Sequence, residues 1–266
     1  MNPLKSIAKI IIPRPVRNAV RFVLSEDYRD HRAFEKDRAV GKKVFDITGG
    51  RVVAGPFEGL KYVSTAKGSS IGPKLLGTYE MELREIVEGA IARGYRTIVN
   101  IGAGEGYYVV GLAKRMAGTR FICFDADPSN QEQIKTLAAL NGVEGQIDVR
   151  GFCDDAALAG AIGDAADVLV ICDIEGAEVE VLRPDAVAAL RRADLLVEMH
   201  DIIRKGCSDA LRSRFETSHA IEVIPTRRRR VEDFPKGIAV EGRDRLACMD
   251  EGRGPTPMTF FWMRVK

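Results

Sequence analysis

The chain has 266 residues, with 40 Lys and Arg against 38 Asp and Glu, a formal net charge of +2 and 45% hydrophobic residues. That length suits one large α/β domain with a real core, or two small ones. The charge balance argues against a dedicated nucleic-acid binder, the apolar content argues against a disordered chain, and no apolar run reaches the roughly 20 residues that span a bilayer.

Residues 1–25 carry Lys5, Lys9, Arg14, Arg17 and Arg21 and no acid. The apolar stretch Ile7–Ile12 is interrupted by Lys9 and stopped by Pro13, with no small-residue cleavage site after it, so a secretory signal is not expected. Beyond Pro15, Val16, Val20 and Val23 recur at helical spacing while the arginines take another face. The N-terminal segment, residues 1–50, is therefore read as a basic amphipathic helical segment. It either packs on the domain or gives a foothold on an anionic membrane surface; both uses stay open.

From Arg51, RVVAGPFEGLKYVST alternates apolar runs around Gly-Pro and Glu-Gly, which predicts a β-hairpin. The stretch that follows, through residues 66–80, is polar and Gly-rich and reads as a lid loop. Lys74, Tyr79 and Glu80 on it are candidates for contacting an acceptor substrate, beside ordinary packing roles. Leu83, Ile86, Val87, Ala90 and Ile91 mark a helix ended by Gly94.

Strand–helix alternation follows. Strands are predicted at 97–101, 120–124, 146–151, 168–172 and 195–199, with closing strands at 220–224 and 259–265. Helices are predicted after 109, over 134–138, 156–162, 179–190 (restarted at Pro184) and 209–215. Such alternation means a doubly wound α/β fold, a mostly parallel sheet with helices on both faces. The five cysteines are odd in number and include no CxxC, so they read as small buried residues of a reducing, cytoplasmic compartment. The three histidines are too scattered to form a His-based metal cluster by spacing.

The most informative segment is TIVNIGAGEGYYVVGLA, residues 97–113. A strand ends at Ile101, Gly102, Gly104 and Gly106 follow, and a helix begins. Glycine permits both the turn and a close approach of a ligand to the main chain at free N–H groups. A dinucleotide fingerprint would carry its third glycine at position 107, which is Tyr107, so a nicotinamide cofactor is disfavoured.

Asp125 ends the second strand about 20 residues past the glycines, where a carboxylate can accept both hydroxyls of a ribose or cap the next helix. In RGFCDD, closing the third strand, Phe152 or Cys153 can pack on an adenine and Asp154 can accept from its amine, or cap a helix. Asp173 ends the fourth strand at the crevice mouth. Glu175 and Glu178 read as acids that the helix dipole favours.

Glu198, His200 and Asp201 crowd the end of the fifth strand. His200, with an ordinary value near 6.5, suits general-base work or a backbone hydrogen bond. Asp173, Glu198, His200 and Asp201 also offer ligands for one hard divalent cation, an option left open. Arg227–Arg230 reads as a solvated loop or a contact for an anionic acceptor.

Together NIGAGEG, FDADPSN, CDIEGAE and VEMH resemble class I S-adenosylmethionine-dependent methyltransferases, and DIEGAE followed by Glu-Met-His resembles the FkbM-type branch. The resemblance covers about residues 50–265 and makes 51–266 a methyltransferase domain. It implies a seven-stranded sheet of order 3-2-1-4-5-7-6 with strand 7 antiparallel. It implies S-adenosylmethionine as cofactor, its methionine part cradled by Gly102, Gly104 and Gly106. Asp125 would hold the ribose, Cys153 and Asp154 would border the adenine, and Asp173 would lie near the amine or the methyl group. Asn100 stands where the family usually carries an acid, which shifts the burden of holding the amine to Asp173. The implied reaction is methylation of a hydroxyl of a small molecule or glycan, with His200 as base. N-methylation of an amine or protein side chain, and a non-catalytic binding module, are the competing readings. No oligomeric state is implied.

Overall fold

The computed structural model describes residues 31–64, 69–253 and 258–266. The basic segment 1–25 and residues 65–68, where the expected lid loop begins, lie outside the described residues. Among the described residues, no helix is long and apolar enough to cross a membrane.

Three strands, β1 (Thr97–Ile101), β4 (Val168–Cys172) and β5 (Asp194–Met199), are buried at every position. Near-continuous apolar runs are what a strand covered on both faces requires. β2 (Arg120–Phe124) and β3 (Ile147–Arg150) extend the sheet on one side, β7 (Thr259–Val265) and β6 (His219–Pro225) on the other. The order is β3-β2-β1-β4-β5-β7-β6, with β7 antiparallel to both neighbours, as the resemblance implies.

Alternation along the strands divides the core. Ile98, Phe121, Leu169 and Leu196 face one cluster, with α3 (Arg84–Arg93), α4 (Tyr107–Arg115) and α5 (Pro128–Asn141) over it. Val99, Ile122, Val170 and Leu195 face the other, under α6 (Asp155–Ile162) and α8 (Cys207–Phe215). Full burial of each such side chain contributes about 1.5–3 kcal/mol before entropy is counted.

Three expectations change. The hairpin at 51–65 shrinks to one antiparallel bridge, Arg51 opposite Lys61, because two turns within eight residues leave no length for a ladder. Its apolar side chains Val52, Phe57, Leu60 and Tyr62 instead enter the core; Phe57 lies where a Cβ on Gly111 would come within 2.6 Å of its ring. The lid loop contains α2 (Ile71–Leu76), buried at all six positions and stopped by Gly77, whose N–H bonds the carbonyls of Lys74 and Pro73. The signal was present in Ile71, Leu75, Leu76 and Gly77. The helix predicted over 179–190 reduces to one turn, α7 (Glu178–Val181), and a 3-10 turn at Ala188–Arg192. Pro184 disfavours the α conformation at Arg183, which ends the first turn.

α1 (His31–Thr48) and α9 (Gly242–Cys248) flank α2. A Cβ on Gly41 would fall 2.3 Å from Ile71, and one on Gly72 would fall 2.6 Å from the Cys248 carbonyl. Val44 of α1 shares the core of α3–α5. α9 was not legible in the sequence, since its segment is mostly polar and Leu246 is exposed. All five cysteines are buried free thiols.

Candidate active site

Strand ends set the site. Ile101 pairs with Phe124 on one side and Cys172 on the other, and Cys172 pairs with Val197. Gly102, Asp125, Asp173 and His200, which follow those residues, thus gather along the C-terminal edge of adjacent strands. β1 and β4 meet where the strand order reverses, the place where open α/β sheets form a crevice.

The three glycines serve three purposes. A Cβ on Gly102 would lie 1.7 Å from the Asp173 carbonyl oxygen, so this residue permits β1 and β4 to run on side by side. Gly106 caps α4 and packs on Ile134, with 3.3 Å left for a Cβ. Gly104, at φ +56°, has no atom within 4 Å of a would-be Cβ. Its face is open, and its N–H is held by Asp125 Oδ2 at 2.8 Å.

Asp125 is buried and also accepts the Asp127 N–H at 2.9 Å and Asn130 Nδ2 at 3.2 Å. Burial pushes its carboxyl up, against the pull of those donors. Asp127, not Asp125, caps α5, accepting the Ser129 N–H at 2.8 Å. Asp154 caps α6 through the Ala157 N–H at 2.8 Å, so one of its oxygens is committed to the helix. Cys153 is buried, its thiol pushed up to about 12 by desolvation and the adjacent acids. Asn100 is buried in β1 between Cys123 and Ile171.

Around the end of β4 and β5 lies a group of carboxylates with one imidazole. His200 is 2% exposed. Its Nδ1 lies 2.8 Å from Glu178 Oε1, and its Nε2 lies 3.4 Å from Glu175 Oε2 and 3.6 Å from Asp173 Oδ1. Burial alone would lower the imidazole. The Glu178 bond and the charges of Asp173, Glu178 and Glu198 override it and raise the ring to about 10. Asp173 is pushed up to about 7 by the shielding of its carboxylate, then by Glu175, Glu80 and Glu178, while His200 pulls the other way, although 41% of the Asp173 side chain is still exposed. Its Oδ1 is shielded from solvent and has no hydrogen-bond partner among the described residues.

Glu178 is more than an acid that the helix dipole favours: it is wholly buried and central, and the sequence signals this only by its distance of five residues from Asp173.

The acceptor candidates are placed differently from expectation. Lys74 is 4% exposed and ion-paired with Glu105 of the glycine loop, which also accepts the Tyr62 hydroxyl at 2.5 Å and the Ser69 hydroxyl at 3.4 Å. Its ammonium also sits 4.8 Å from the Tyr79 ring centroid. Glu80 is buried, accepts the Tyr108 hydroxyl and pairs with Arg253 at 2.7 Å. Lys74 and Glu80 are thus committed internally, and the half-buried Tyr79 packs edge-to-face on Tyr107 with ring centroids 5.5 Å apart. Arg253 also pairs with Glu198 and with Glu251 at 2.9 Å. Burial first, then the neighbouring acid, raises both Glu80 and Glu198 to about 7. Of the arginine run, the Arg229 side chain is buried against Glu251 and Glu82, while Arg227, paired with Asp233 at 2.7 Å, and Arg228 and Arg230 are exposed.

The four residues that the sequence offers as an optional cation set are not all brought together. Glu198 faces Arg253, and Asp201 turns to the Ser208 N–H and hydroxyl. Asp173, Glu175 and His200 do bring one ligand atom each within 4.8 Å. In the metal-free protein the raised His200 makes this group an imidazolium among carboxylates, and a cation bound here would have to displace the ring's proton.

No protein-family model matches the chain, and no curated protein does. Among solved structures it is similar to an O-methyltransferase from Bacillus cereus in complex with SAH, at 12% identity and a TM-score of 0.47, over 86% of this chain and 91% of that one. It is similar to the O-methyltransferase TomG from Streptomyces achromogenes in complex with SAM, at 14% identity and 0.45, over 85% and 88%. It is also similar to the precorrin-6y C5,15-methyltransferase from Geobacter metallireducens, at 13% identity and 0.44, over 69% and 89%.

Proposed function

We propose that the chain is an S-adenosylmethionine-dependent methyltransferase of FkbM-like type that methylates a hydroxyl of a small molecule or glycan. The observation that carries this is the open face of Gly104 at the switch point, held by Asp125 on one side of the loop while Asp173 stands beside the other.

The residues fit the cofactor. Gly102, Gly104 and Gly106 leave main chain for its methionine part, and Asn100 lies beneath them. Asp125 suits two ribose hydroxyls, and Cys153 with Asp154 borders the place of an adenine. Asp173 has a buried oxygen without a donor, which suits a cationic amine. When bound, the cofactor supplies an electrophilic methyl on a sulfonium. The protein's part is alignment and exclusion of water. His200 Nε2 is the group that would take the acceptor proton. Its ring must first lose its own proton, which a cationic ligand in the crevice would favour.

A second reading is N-methylation. The wall formed by Glu80, Asp173, Glu175 and Glu198 carries more acid than base and attracts an amine. The N-terminal basic segment remains a proposed membrane foothold or packing helix.

Calorimetry with S-adenosylmethionine and S-adenosylhomocysteine tests the pocket; no binding below millimolar concentration ends this reading. Untargeted mass spectrometry of cells with and without the protein, searching for metabolites heavier by one CH2, identifies the acceptor and separates oxygen from nitrogen.

A further inference from the structure

We propose that Glu178 is a positioning residue for His200: its buried carboxylate accepts a hydrogen bond from Nδ1–H, fixes the ring and leaves Nε2 as the nitrogen presented between Asp173 and Glu175. This rests on the methyltransferase reading only for what Nε2 then does; the positioning itself belongs to the free protein.

The geometry carries it. Glu178 is 0% exposed, and a carboxylate so placed needs several donors. Its Oε1 accepts the Ile174 N–H at 3.2 Å and the Gly176 N–H at 3.1 Å, besides meeting His200 Nδ1 at 2.8 Å. Its Oε2 receives the Cys207 thiol at 3.5 Å. Those two N–H groups belong to the loop that bears Asp173 and Glu175. One oxygen thus folds the loop and holds the ring, and the three groups at the crevice are set relative to one another by a residue that solvent does not touch.

The loop is strained as well. Glu175 stands at φ +55°, a conformation costly for a non-glycine residue that persists only where neighbours fix it. Burial would push Glu178 up, but the His200 bond and charge and the backbone donors bring it below the ordinary range. An ionised carboxylate can only accept, so Nδ1 must be the donor. This is the arrangement by which a carboxylate orients a histidine for proton transfer at its far nitrogen.

The ring's charge is set by groups from every side: Asp173 from β4, Glu175 and Glu178 from the loop and α7, and Glu198 from β5 itself. Glu80 and Arg253 stand behind these, and the Cys207 thiol lies on α8.

The test uses nitrogen-resolved histidine NMR on the full-length free protein, comparing wild type, Glu178→Gln and Glu178→Asp, with His200 assigned from His200→Gln. Glutamine still accepts the Ile174 and Gly176 N–H groups, so the loop is kept while the anion is removed. In wild type, an Nδ1–H in slow exchange with water is expected at neutral pH. In both variants the ring's titration midpoint should fall by about one pH unit or more. A rapidly exchanging Nδ1 in wild type, or a midpoint unmoved in the variants, overturns the proposal; if Glu178→Gln does not fold, the wild-type signal and Glu178→Asp decide. Titration with S-adenosylhomocysteine should leave Glu178→Gln affinity within about threefold of wild type, since glutamine keeps the loop that carries Asp173 and leaves Asp173, Asp125 and the glycines in place. Affinity lost in step with the midpoint would mean a merely structural role. Wild type that binds no S-adenosylhomocysteine yet shows the expected ring signals defeats the methyltransferase reading and leaves the positioning intact.

Discussion

Asp125 holds the Gly104 N–H at 2.8 Å, so the carboxylate proposed for the ribose also shapes the loop proposed for the methionine part. Removing it does two things at once. Asp125→Ala should weaken S-adenosylhomocysteine binding by about tenfold or more, since a buried acceptor of several donors is lost. Asp125→Asn should fall between, because one oxygen can still accept. Calorimetry reads this directly, and equal affinities for all three proteins would remove Asp125 from the site.

The glycines give a sharper contrast. Gly102→Ala drives a Cβ to 1.7 Å from a backbone oxygen and should destabilise the fold by several kcal/mol, seen as a large drop in melting temperature. Gly104→Ala meets open space and bears only the strain of its positive φ, about 1 kcal/mol. It should fold, yet lose cofactor affinity because the methyl occupies the open face. A Gly104→Ala protein that binds as tightly as wild type would show that this face is not used.

Lys74 and Glu105 predict a non-additive pair. Lys74→Met leaves Glu105 buried and uncompensated, which should cost about 3–5 kcal/mol in urea unfolding. Adding Glu105→Gln should restore most of that loss. If the double variant is as unstable as the sum of the singles, the ion pair is not what matters there.

Stability should fall as pH rises. His200 is raised to about 10 in the folded protein, so its contribution is complete below the ordinary imidazole value near 6.5 and is lost as pH rises through about 10. Asp173, Glu80 and Glu198, raised to about 7, act with the same sign lower down. Between the ordinary carboxylate range and about 7 the native state keeps protons that the unfolded chain has released. Urea unfolding at a series of pH values should show this slope, shallower above neutrality in His200→Gln. Stability constant or rising between neutrality and pH 10 contradicts the assignment of the ring as a cation.

A protonated His200 among its carboxylates also predicts indifference to chelators. Once an acceptor is known, turnover should be unchanged by removal of divalent ions. A loss of activity restored by one added metal would reassign Asp173, Glu175 and His200 as ligands.

What the sequence made legible follows from where information is local. Apolar runs bounded by turns located β1, β2, β4 and β5, and glycines after Ile101 located the loop, because both signals lie within a few adjacent residues. Asp125 and Asp173 were found by standing at strand ends. Glu178 and Arg253 were not, because their meaning depends on partners distant in the chain: His200 is 22 residues from Glu178, and Glu80 is 173 from Arg253. Lys74, which the sequence leaves open to acceptor contact or packing, is understood only through its distant partner: Glu105 on the glycine loop shows why it is buried.

The insertion of β7 between β5 and β6 bears on how the molecule is made. During synthesis β6 emerges with its eventual neighbour still unmade, since β7 begins more than thirty residues after it ends. The nascent chain must therefore hold an incomplete sheet, with the β5 edge bare, until Thr259–Val265 leaves the ribosome and is threaded into the gap. Ribosome-stalled chains ending before that segment should be the ones most in need of chaperones.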